Sequence, residues 1–270
     1  MVPDRMFDGY VFDLDGTVYL GDALLPGAKH TIETLRGAGS RVVFLSNKPL
    51  ETRADYAAKL THLGVPTSLD EVINSSWVLA RWLKGEAPGA ALFVIGERPL
   101  LDELSAAGFR LTEQPDEIEF VVASFDRTFE YHKLQVAFDA IRAGARFVAT
   151  NADRYCPVPG GGLPDAAAVI GAIEGCTGKQ VEVVVGKPSS ITVRAILDRL
   201  QLPASACIMV GDRLETDMRM GREAGMATAV ALTGVTTPEL LAASEVQPDY
   251  VLQRLDELLP VSRERGYSVD

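Results

Sequence analysis

Two aspartates separated by one residue follow an apolar run near the start of the chain. Residues 10–17 read YVFDLDGT, so that Asp13 and Asp15 come directly after a predicted buried strand and a Gly-Thr pair ends it. If the strand continues to this point, its period of two places both carboxylates on one side of the tip and turns Leu14 into the core. Two carboxylates this close repel one another, and either a divalent cation or a shared proton would relieve the repulsion. The pair therefore predicts metal or acid–base chemistry, although Asp-Gly is also a common turn former.

Polar residues also stand at the ends of three other predicted strands. They are Ser46, Asn47 and Lys48 in SNK, Lys187 in GKP, and Asp212 and Asp217 in GDRLETD. In a parallel α/β sheet the carboxyl ends of the strands lie on one edge, so these groups are expected to converge there with the first aspartate pair. Each has a simpler explanation alone, since a serine can cap a helix, a loop lysine can be solvated and an aspartate can favour a helix N-terminus. Together they favour a functional site.

Predicted strands and helices alternate along the chain that carries these residues. Short apolar strands and amphipathic helices follow one another up to a loose segment at 85–89, continue as a second series, and resume after residue 180. This alternation predicts an α/β fold, with a doubly wound, Rossmann-like parallel-sheet core and an inserted smaller α/β domain. We assign residues 1–83 and 181–270 to the core and residues 84–180 to the insertion, which contains a Gly- and Pro-rich loop at 151–164. In the second part of the core the pattern predicts a valine-rich strand at 181–185 and a helix over 217–224.

The composition narrows the classes of partner. Of 270 residues, 47% are hydrophobic and 23% are charged, which is typical of a globular protein, and the net charge is −11. An acidic chain without a basic run is not expected to bind nucleic acid or an anionic membrane. No apolar stretch approaches the roughly 18 residues that a membrane span needs. Residues 1–8 lack the apolar core of a signal peptide, and the three cysteines form no CxxC pair, so we expect a cytoplasmic protein.

Phosphoryl transfer is the chemistry that these groups would serve. The carboxylates would repel a phosphate dianion unless a hard cation such as Mg²⁺, which prefers oxygen ligands, lay among them. Asp13 is then a candidate covalent nucleophile, and Asp15 is a candidate general acid and base. Ser46, the amides beyond it and Lys187 would hold the oxygens on which charge develops in the transition state.

In this order the motifs resemble those of the haloacid dehalogenase-like phosphatases, and more narrowly the NagD-type subfamily of 4-nitrophenyl and sugar-phosphate phosphatases. The resemblance rests on DLDGTVYLGD, SN, VVVGKPS and GDRLETD, together with SFDRTFEYHKL and FVATNAD in the insertion. It implies a Mg²⁺-dependent phosphatase that hydrolyses small phosphate monoesters through an aspartyl phosphate. Whether the protein is a monomer or a homodimer is left open by the sequence. The resemblance also implies that Asp13 is the nucleophile and Asp15 the general acid and base.

The same resemblance implies roles for the other motif residues. Mg²⁺ would be held by the Asp13 carboxylate, the Asp15 carbonyl and Asp212, with Asp217 as a ligand or an outer partner. The phosphate-binding residues would be Ser46, Asn47, Lys48 and Lys187. The insertion would be a cap that closes over the site and supplies specificity. The cap residues expected to read the leaving group are Asp153, Arg154 and Tyr155.

Two other classes of protein compete with this interpretation. A phospho-accepting, receiver-like signalling protein also gathers carboxylates, a Ser or Thr and a Lys at strand ends, but the paired Asp13 and Asp15 and the large insertion speak against it. A dehalogenase of the same superfamily is not expected to carry Asp15. The sequence does not identify the physiological substrate.

Overall fold

Strands and helices alternate along the protein, whose computed structural model describes residues 2–158 and 160–260. The strands are β1 (Gly9–Asp13), β2 (Tyr19–Leu20), β3 (Ala23–Leu24), β4 (Arg41–Ser46), β5 (Val72–Asn74), β6 (Ala91–Ile95), β7 (Arg110–Leu111), β8 (Phe120–Ala123), β9 (Arg146–Ala149), β10 (Tyr155–Val158), β11 (Gly161–Pro164), β12 (Val183–Val184), β13 (Cys207–Gly211), β14 (Ala227–Ala231) and β15 (Tyr250–Leu252). The α-helices are α1 (Ala28–Gly37), α2 (Arg53–His62), α3 (Ser75–Glu86), α4 (Arg98–Ala106), α5 (Tyr131–Ala143), α6 (Ala166–Thr177), α7 (Ser190–Leu200), α8 (Arg219–Ala224) and α9 (Pro238–Ala243). In the described residues, no helix has the length and apolar character needed to cross a membrane.

Local sequence explains where several helices begin and end. The Asn74 side chain accepts the N–H of Trp77 at 3.0 Å and caps α3, and Asp165 caps α6 by accepting the N–H of Ala166 at 2.6 Å. Helix α5 ends at Gly144, whose φ of 114° is accessible to glycine at little cost.

Eleven of the fifteen described strands form two parallel sheets, and the other four form the antiparallel hairpins β2–β3 and β10–β11. The larger sheet has the strand order β15-β14-β13-β1-β4-β5, and the second has the order β12-β9-β8-β6-β7. In the larger sheet β1 pairs in parallel with β13, and the order reverses at β1, which is where such sheets bind ligands. The chain between β5 and β13 carries the second sheet, so the predicted α/β fold with a Rossmann-like core and an insertion is confirmed.

The described chain divides into two compact units. Unit 1 comprises residues 2–43, 63–65 and 200–260, and unit 2 comprises residues 44–62, 66–158 and 160–199. Strand β4 passes from the first unit to the second. This division does not test the predicted boundaries at residues 84 and 180, which stay a prediction.

Two element predictions are wrong. The valine-rich strand predicted at 181–185 is only Val183–Val184, and it pairs with β9 in the second sheet. A run of valines indicates a strand but does not indicate which sheet it joins. The segment 151–164, predicted as a loop, contains the antiparallel hairpin β10–β11, in which Tyr155 pairs with Pro164 and Val158 with Gly161.

Candidate active site

The turn after β1 leaves its two aspartates in different surroundings. Asp13 ends the strand and is buried, with 8% of its surface exposed, whereas Asp15 lies beyond the strand and is exposed. The N–H groups of residues 17–19 donate to the Leu14 carbonyl at 3.2, 2.9 and 3.2 Å, which closes the turn around the strand end. A buried carboxylate followed by an exposed one suits a nucleophile held in place beside a group that exchanges protons with water.

A loop beyond β14 holds the carboxylate of Asp212, the residue that follows β13. Asp212 is 2% exposed, and its Oδ2 accepts the N–H of Val235 at 2.7 Å. Its carbonyl accepts the hydroxyl of Thr236 at 2.6 Å and the N–H of the same residue at 3.1 Å. Gly234 borders this carboxylate so closely that a Cβ placed on it would lie 2.0 Å from Oδ2. This loop was not predicted, and its one signal in the sequence is the run TGVTT directly after a strand.

A single π-helical turn positions Asp217 near the end of the same strand. Residues Leu214–Met218 form this turn, so α8 begins at Arg219 and not at residue 217 as the sequence predicts. Asp217 is fully buried, and its Oδ2 accepts the N–H of Arg213 at 3.1 Å. A Cβ on Gly211 would lie 2.3 Å from that oxygen, so the glycine leaves room for the carboxylate. Isolated π-turns are frequent at functional sites.

The carboxylates of Asp13, Asp212 and Asp217 form one acidic group in unit 1. One oxygen from each lies within 4.8 Å of the other two, and all three residues are buried. Buried anions at this spacing repel one another strongly unless a cation lies among them. A small set of carboxylate oxygens that leaves positions for water and substrate suits Mg²⁺. The donor set therefore fits a magnesium site; the ligand expected from Asp15 is its main-chain carbonyl, which is not part of this side-chain group.

In unit 2, Ser46 ends β4 and belongs to a small hydrogen-bond network. Ser46 is 4% exposed; its Oγ donates to the Tyr56 hydroxyl at 3.1 Å and accepts the N–H of Lys48 at 3.2 Å. The Tyr56 hydroxyl donates in turn to the Lys48 carbonyl at 3.0 Å. Tyr56, a fully buried residue of α2, therefore fixes the turn that carries the predicted phosphate-binding residues. In the sequence it stands out only as an inward-facing helix position.

The side chain of Asn47 joins the turn after β4 to Lys187. Its Oδ1 accepts the main-chain N–H of Lys187 at 2.7 Å, and its Nδ2 donates to the carbonyl of the same residue at 3.3 Å. Both residues are buried, with 8% and 4% of their surfaces exposed. A Cβ on Gly186 would lie 2.7 Å from Asn47 Oδ1, which explains the glycine of GKP. This contact holds the main chain of Lys187 beside the residue that follows β4, although β12, the strand before Lys187, belongs to the second sheet.

The three predicted cap residues lie in unlike environments. The Arg154 side chain is exposed, and Tyr155 on β10 has 49% of its surface exposed. Asp153 is half-buried, and its Oδ2 accepts hydrogen bonds from Asn47 Nδ2 at 3.2 Å and from Asn151 Nδ2 at 3.3 Å. The structure therefore brings Asp153, but not its two neighbours, into hydrogen-bond contact with the predicted phosphate-binding residues.

Two protein-family models match the chain. One, described as haloacid dehalogenase-like hydrolase, matches residues 10–110, and the other, described as HAD-hydrolase-like, matches residues 184–258. The first range contains DLDGT and the second contains GDRLETD. The family models therefore match the two stretches that carry the acidic group.

Known proteins extend the likeness over nearly the whole chain. The sugar-phosphatase AraL of Bacillus subtilis is 38% identical over 256 residues, which cover 95% of this chain and 93% of that protein. The crystal structure of a 4-nitrophenylphosphatase from Thermotoga maritima matches with a TM-score of 0.90 at 36% identity, over 93% of this chain and 96% of that one. A glycerol phosphate phosphatase from Mycobacterium tuberculosis, in complex with magnesium, matches with a TM-score of 0.86 at 32% identity, over 94% of this chain and 77% of that one. The chain therefore belongs to the haloacid dehalogenase-like hydrolases, among their NagD-type phosphatases, and is a phosphoric monoester hydrolase.

Proposed function

We propose that the protein is a Mg²⁺-dependent phosphatase that hydrolyses small phosphate monoesters, such as sugar phosphates, through an aspartyl-phosphate intermediate. The observation that carries the proposal is the group of three buried carboxylates, within 4.8 Å of one another, at the ends of β1 and β13. The sugar-phosphatase and 4-nitrophenylphosphatase relatives support the substrate class, and they make 4-nitrophenyl phosphate a suitable substrate in vitro.

Asp13 and Asp15 share the chemistry of the two half-reactions. A carboxylate oxygen of Asp13 attacks the phosphorus, the ester P–O bond breaks, and Asp15 gives its proton to the leaving oxygen. Asp15 then takes a proton from water, the water oxygen attacks the phosphorus, and phosphate departs while the Asp13 carboxylate is restored. The exposure of Asp15 supports this assignment, because the group must exchange protons with both leaving group and water.

Asp13, Asp212 and Asp217 would hold Mg²⁺, and the Asp15 carbonyl would add a ligand. When bound, the ion would offset the repulsion between these carboxylates and the phosphate dianion. The hydrogen bonds from the Val235 and Arg213 amides keep two of the three carboxylates in fixed orientations. Such outer partners are needed because a carboxylate ligand that rotates freely loses affinity for the metal.

The phosphate oxygens would be bound by the Ser46 hydroxyl, the main-chain amides of Asn47 and Lys48, and the Lys187 ammonium. Donors that are in place once the substrate has bound stabilise transition-state charge without reorganising during the reaction. The Tyr56 network holds the turn that carries these donors; the Ser46 O–H and the Lys48 N–H, which donate to Tyr56 and to Ser46 Oγ within it, would transfer those hydrogen bonds to the phosphate when substrate binds. Selectivity among esters would rest on Arg154 and Tyr155, whose exposed side chains are accessible to a leaving group.

The proposal is tested by measuring phosphate release from a panel of monoesters, with and without Mg²⁺. We expect hydrolysis that disappears on chelation and returns when Mg²⁺ is added back. Asp13→Asn is expected to abolish turnover and to abolish the acid-stable, hydroxylamine-labile phosphoryl group that quenched wild-type enzyme would carry. Asp8→Asn, an exposed carboxylate just before β1, is the matched control and should retain activity. Full turnover by Asp13→Asn, or after exhaustive chelation, would refute the proposal.

A further inference from the structure

Asp153 stands at the junction of two hydrogen-bond networks. On one side its Oδ2 accepts a hydrogen bond from Nδ2 of Asn47, whose side-chain amide is also hydrogen-bonded to the main chain of Lys187. On the other side the same oxygen accepts a hydrogen bond from Nδ2 of Asn151 at 3.3 Å. Asn151 is fully buried, and its Nδ2 also donates to the buried Asp165 carboxylate at 3.0 Å. The carboxylate of Asp153 is therefore engaged with protein groups on both sides.

The orientation of the Asn47 amide follows from its partners. Oδ1 must face Lys187 N–H, because the reverse orientation would set two donors against one another. Nδ2 must then face acceptors, and the Lys187 carbonyl and Asp153 Oδ2 are the two that it contacts, at 3.3 and 3.2 Å. A negatively charged acceptor forms a stronger hydrogen bond with an amide than a neutral one does. Asp153 thus stabilises the one amide orientation in which Asn47 holds both main-chain polar groups of Lys187.

The anchoring of Asn151 makes this arrangement rigid. Asn151 Oδ1 accepts the hydroxyl of Thr150 at 2.8 Å, and that hydroxyl lies 2.8 Å from Ser124 Oγ. Thr150 and Ser124 are fully buried and directly follow β9 and β8. The position of Asp153 is therefore set by the ends of two strands of the second sheet, whereas Arg154 and Tyr155 have exposed side chains.

We propose that Asp153 is a positioning residue for the phosphate-binding Lys187, acting through Asn47, and not a reader of the leaving group as the sequence analysis expects. The inference rests on the proposed function, since it concerns the group that would hold the phosphate. It assigns three consecutive residues, Asp153, Arg154 and Tyr155, to different tasks. Asp153 acts on the part that all phosphate monoesters share, and its two neighbours act on the part in which they differ.

The test compares Asp153→Ala and Asp153→Asn across esters of different size, from methyl phosphate to hexose phosphates. Asp153→Ala should lower kcat/KM by about 10- to 100-fold, the range expected for losing a charge-assisted hydrogen bond, and by the same factor for every ester. It should weaken inhibition by inorganic phosphate in parallel. Asp153→Asn, which keeps an oxygen acceptor but not the charge, should recover part of the loss. Asp102→Ala, an exposed carboxylate on α4 that pairs with Arg98, is the control and should behave as wild type.

A double-mutant cycle tests whether the effect of Asp153 passes through Asn47. If Asp153 acts through Asn47, then Asn47→Ala and the double variant Asn47→Ala/Asp153→Ala should have similar kcat/KM values. Loss factors that differ among esters, an Asp153→Asn variant as defective as Asp153→Ala, or additive losses in the cycle would each overturn the inference. If Asp153→Ala does not fold, Asp153→Ser takes its place in the cycle.

Failure of the inference is separable from failure of the proposed function. If the wild-type protein releases no phosphate from any ester, the proposed function fails. The role of Asp153 is then measured by calorimetric titration of inorganic phosphate into the wild type and the variants, which needs no turnover. Equal affinity of wild type and Asp153→Ala for phosphate would overturn the positioning role.

Discussion

Gly234→Ala is expected to damage the acidic group without removing any of its carboxylates. Gly234 is exposed, so burial alone predicts a tolerated change, yet its added Cβ would lie 2.0 Å from Asp212 Oδ2. Real Cβ contacts are essentially never shorter than 3.0 Å, so the oxygen or the loop must retreat by about 1 Å. That retreat would strain or break the 2.7 Å bond from Val235 N–H to the same oxygen.

The magnitude follows from the proposed role of the Asp212 oxygen as a ligand of Mg²⁺. A shift of about 1 Å in a group that positions reactants costs on the order of 100-fold in rate. Losing the orienting partner of a metal ligand costs about 10- to 100-fold in metal affinity. We therefore expect kcat to fall about 100-fold and the Mg²⁺ concentration that gives half-maximal activity to rise at least about tenfold.

The assay is 4-nitrophenyl phosphate hydrolysis over a Mg²⁺ titration, with a thermal melt of each variant. Gly171→Ala is the matched control, because Gly171 is an exposed position of α6 where an added Cβ meets nothing within 4 Å. That control should keep full activity and gain about 0.5–1 kcal/mol of stability from the better helix former. Wild-type kcat and Mg²⁺ dependence in Gly234→Ala would refute the argument that this loop fixes the Asp212 carboxylate.

Three further predictions follow from the same structure. Asp15→Asn should slow hydrolysis of alkyl phosphates far more than that of 4-nitrophenyl phosphate, because a good leaving group needs less protonation; an equal loss for both esters would argue against Asp15 as the acid. Replacing Arg154 and Tyr155 with Ala should alter the ratios of kcat/KM across a sugar-phosphate panel, and unchanged ratios would place selectivity elsewhere. Burial raises the pKa of the Cys207 thiol from 9.0 to about 11, so near pH 8 its thiolate is about 100-fold scarcer than an ordinary one. Peptide mapping after alkylation should find the exposed Cys176 modified and Cys207 intact, and the stability contributed by this buried thiol should be lost as pH rises from about 9 to about 11.

Several features were predictable because they depend on neighbours in the chain. Short apolar runs are enough to predict strands such as β1, and apolar residues at helical spacing are enough to predict helices such as α7. The family was predictable because each of its motifs is a short contiguous stretch that can be read directly from the sequence, and because the motifs occur in the family's order. The proximity of Asp13 and Asp212, which lie at the ends of β1 and β13, was also predictable because neighbouring parallel strands present their carboxyl ends on the same edge of the sheet.

Other features escaped prediction because they arise from contacts between distant segments. The valine-rich strand before Lys187 has the same local pattern whichever sheet it joins, and only its pairing with β9 decides. The π-turn of Asp217 differs from an α-helix by one residue of register, a difference that the hydrophobic periodicity does not encode. Tyr56 has the pattern of an ordinary core residue until its hydroxyl is seen to bond the turn after β4.

The kind of chemistry can be read from the motifs, since they contain the carboxylates, the serine and the lysine that phosphoryl transfer requires. How those groups are held is visible only in the folded protein. The tertiary structure shows that Gly234 and Val235 fix Asp212, and that Asn47 is committed to the main chain of Lys187. It also separates Asp153 from the two residues that follow it in the sequence. The reason is that residue type specifies which hydrogen bonds a side chain can make, whereas the folded chain decides which donors and acceptors, often more than a hundred residues apart, come within reach of it.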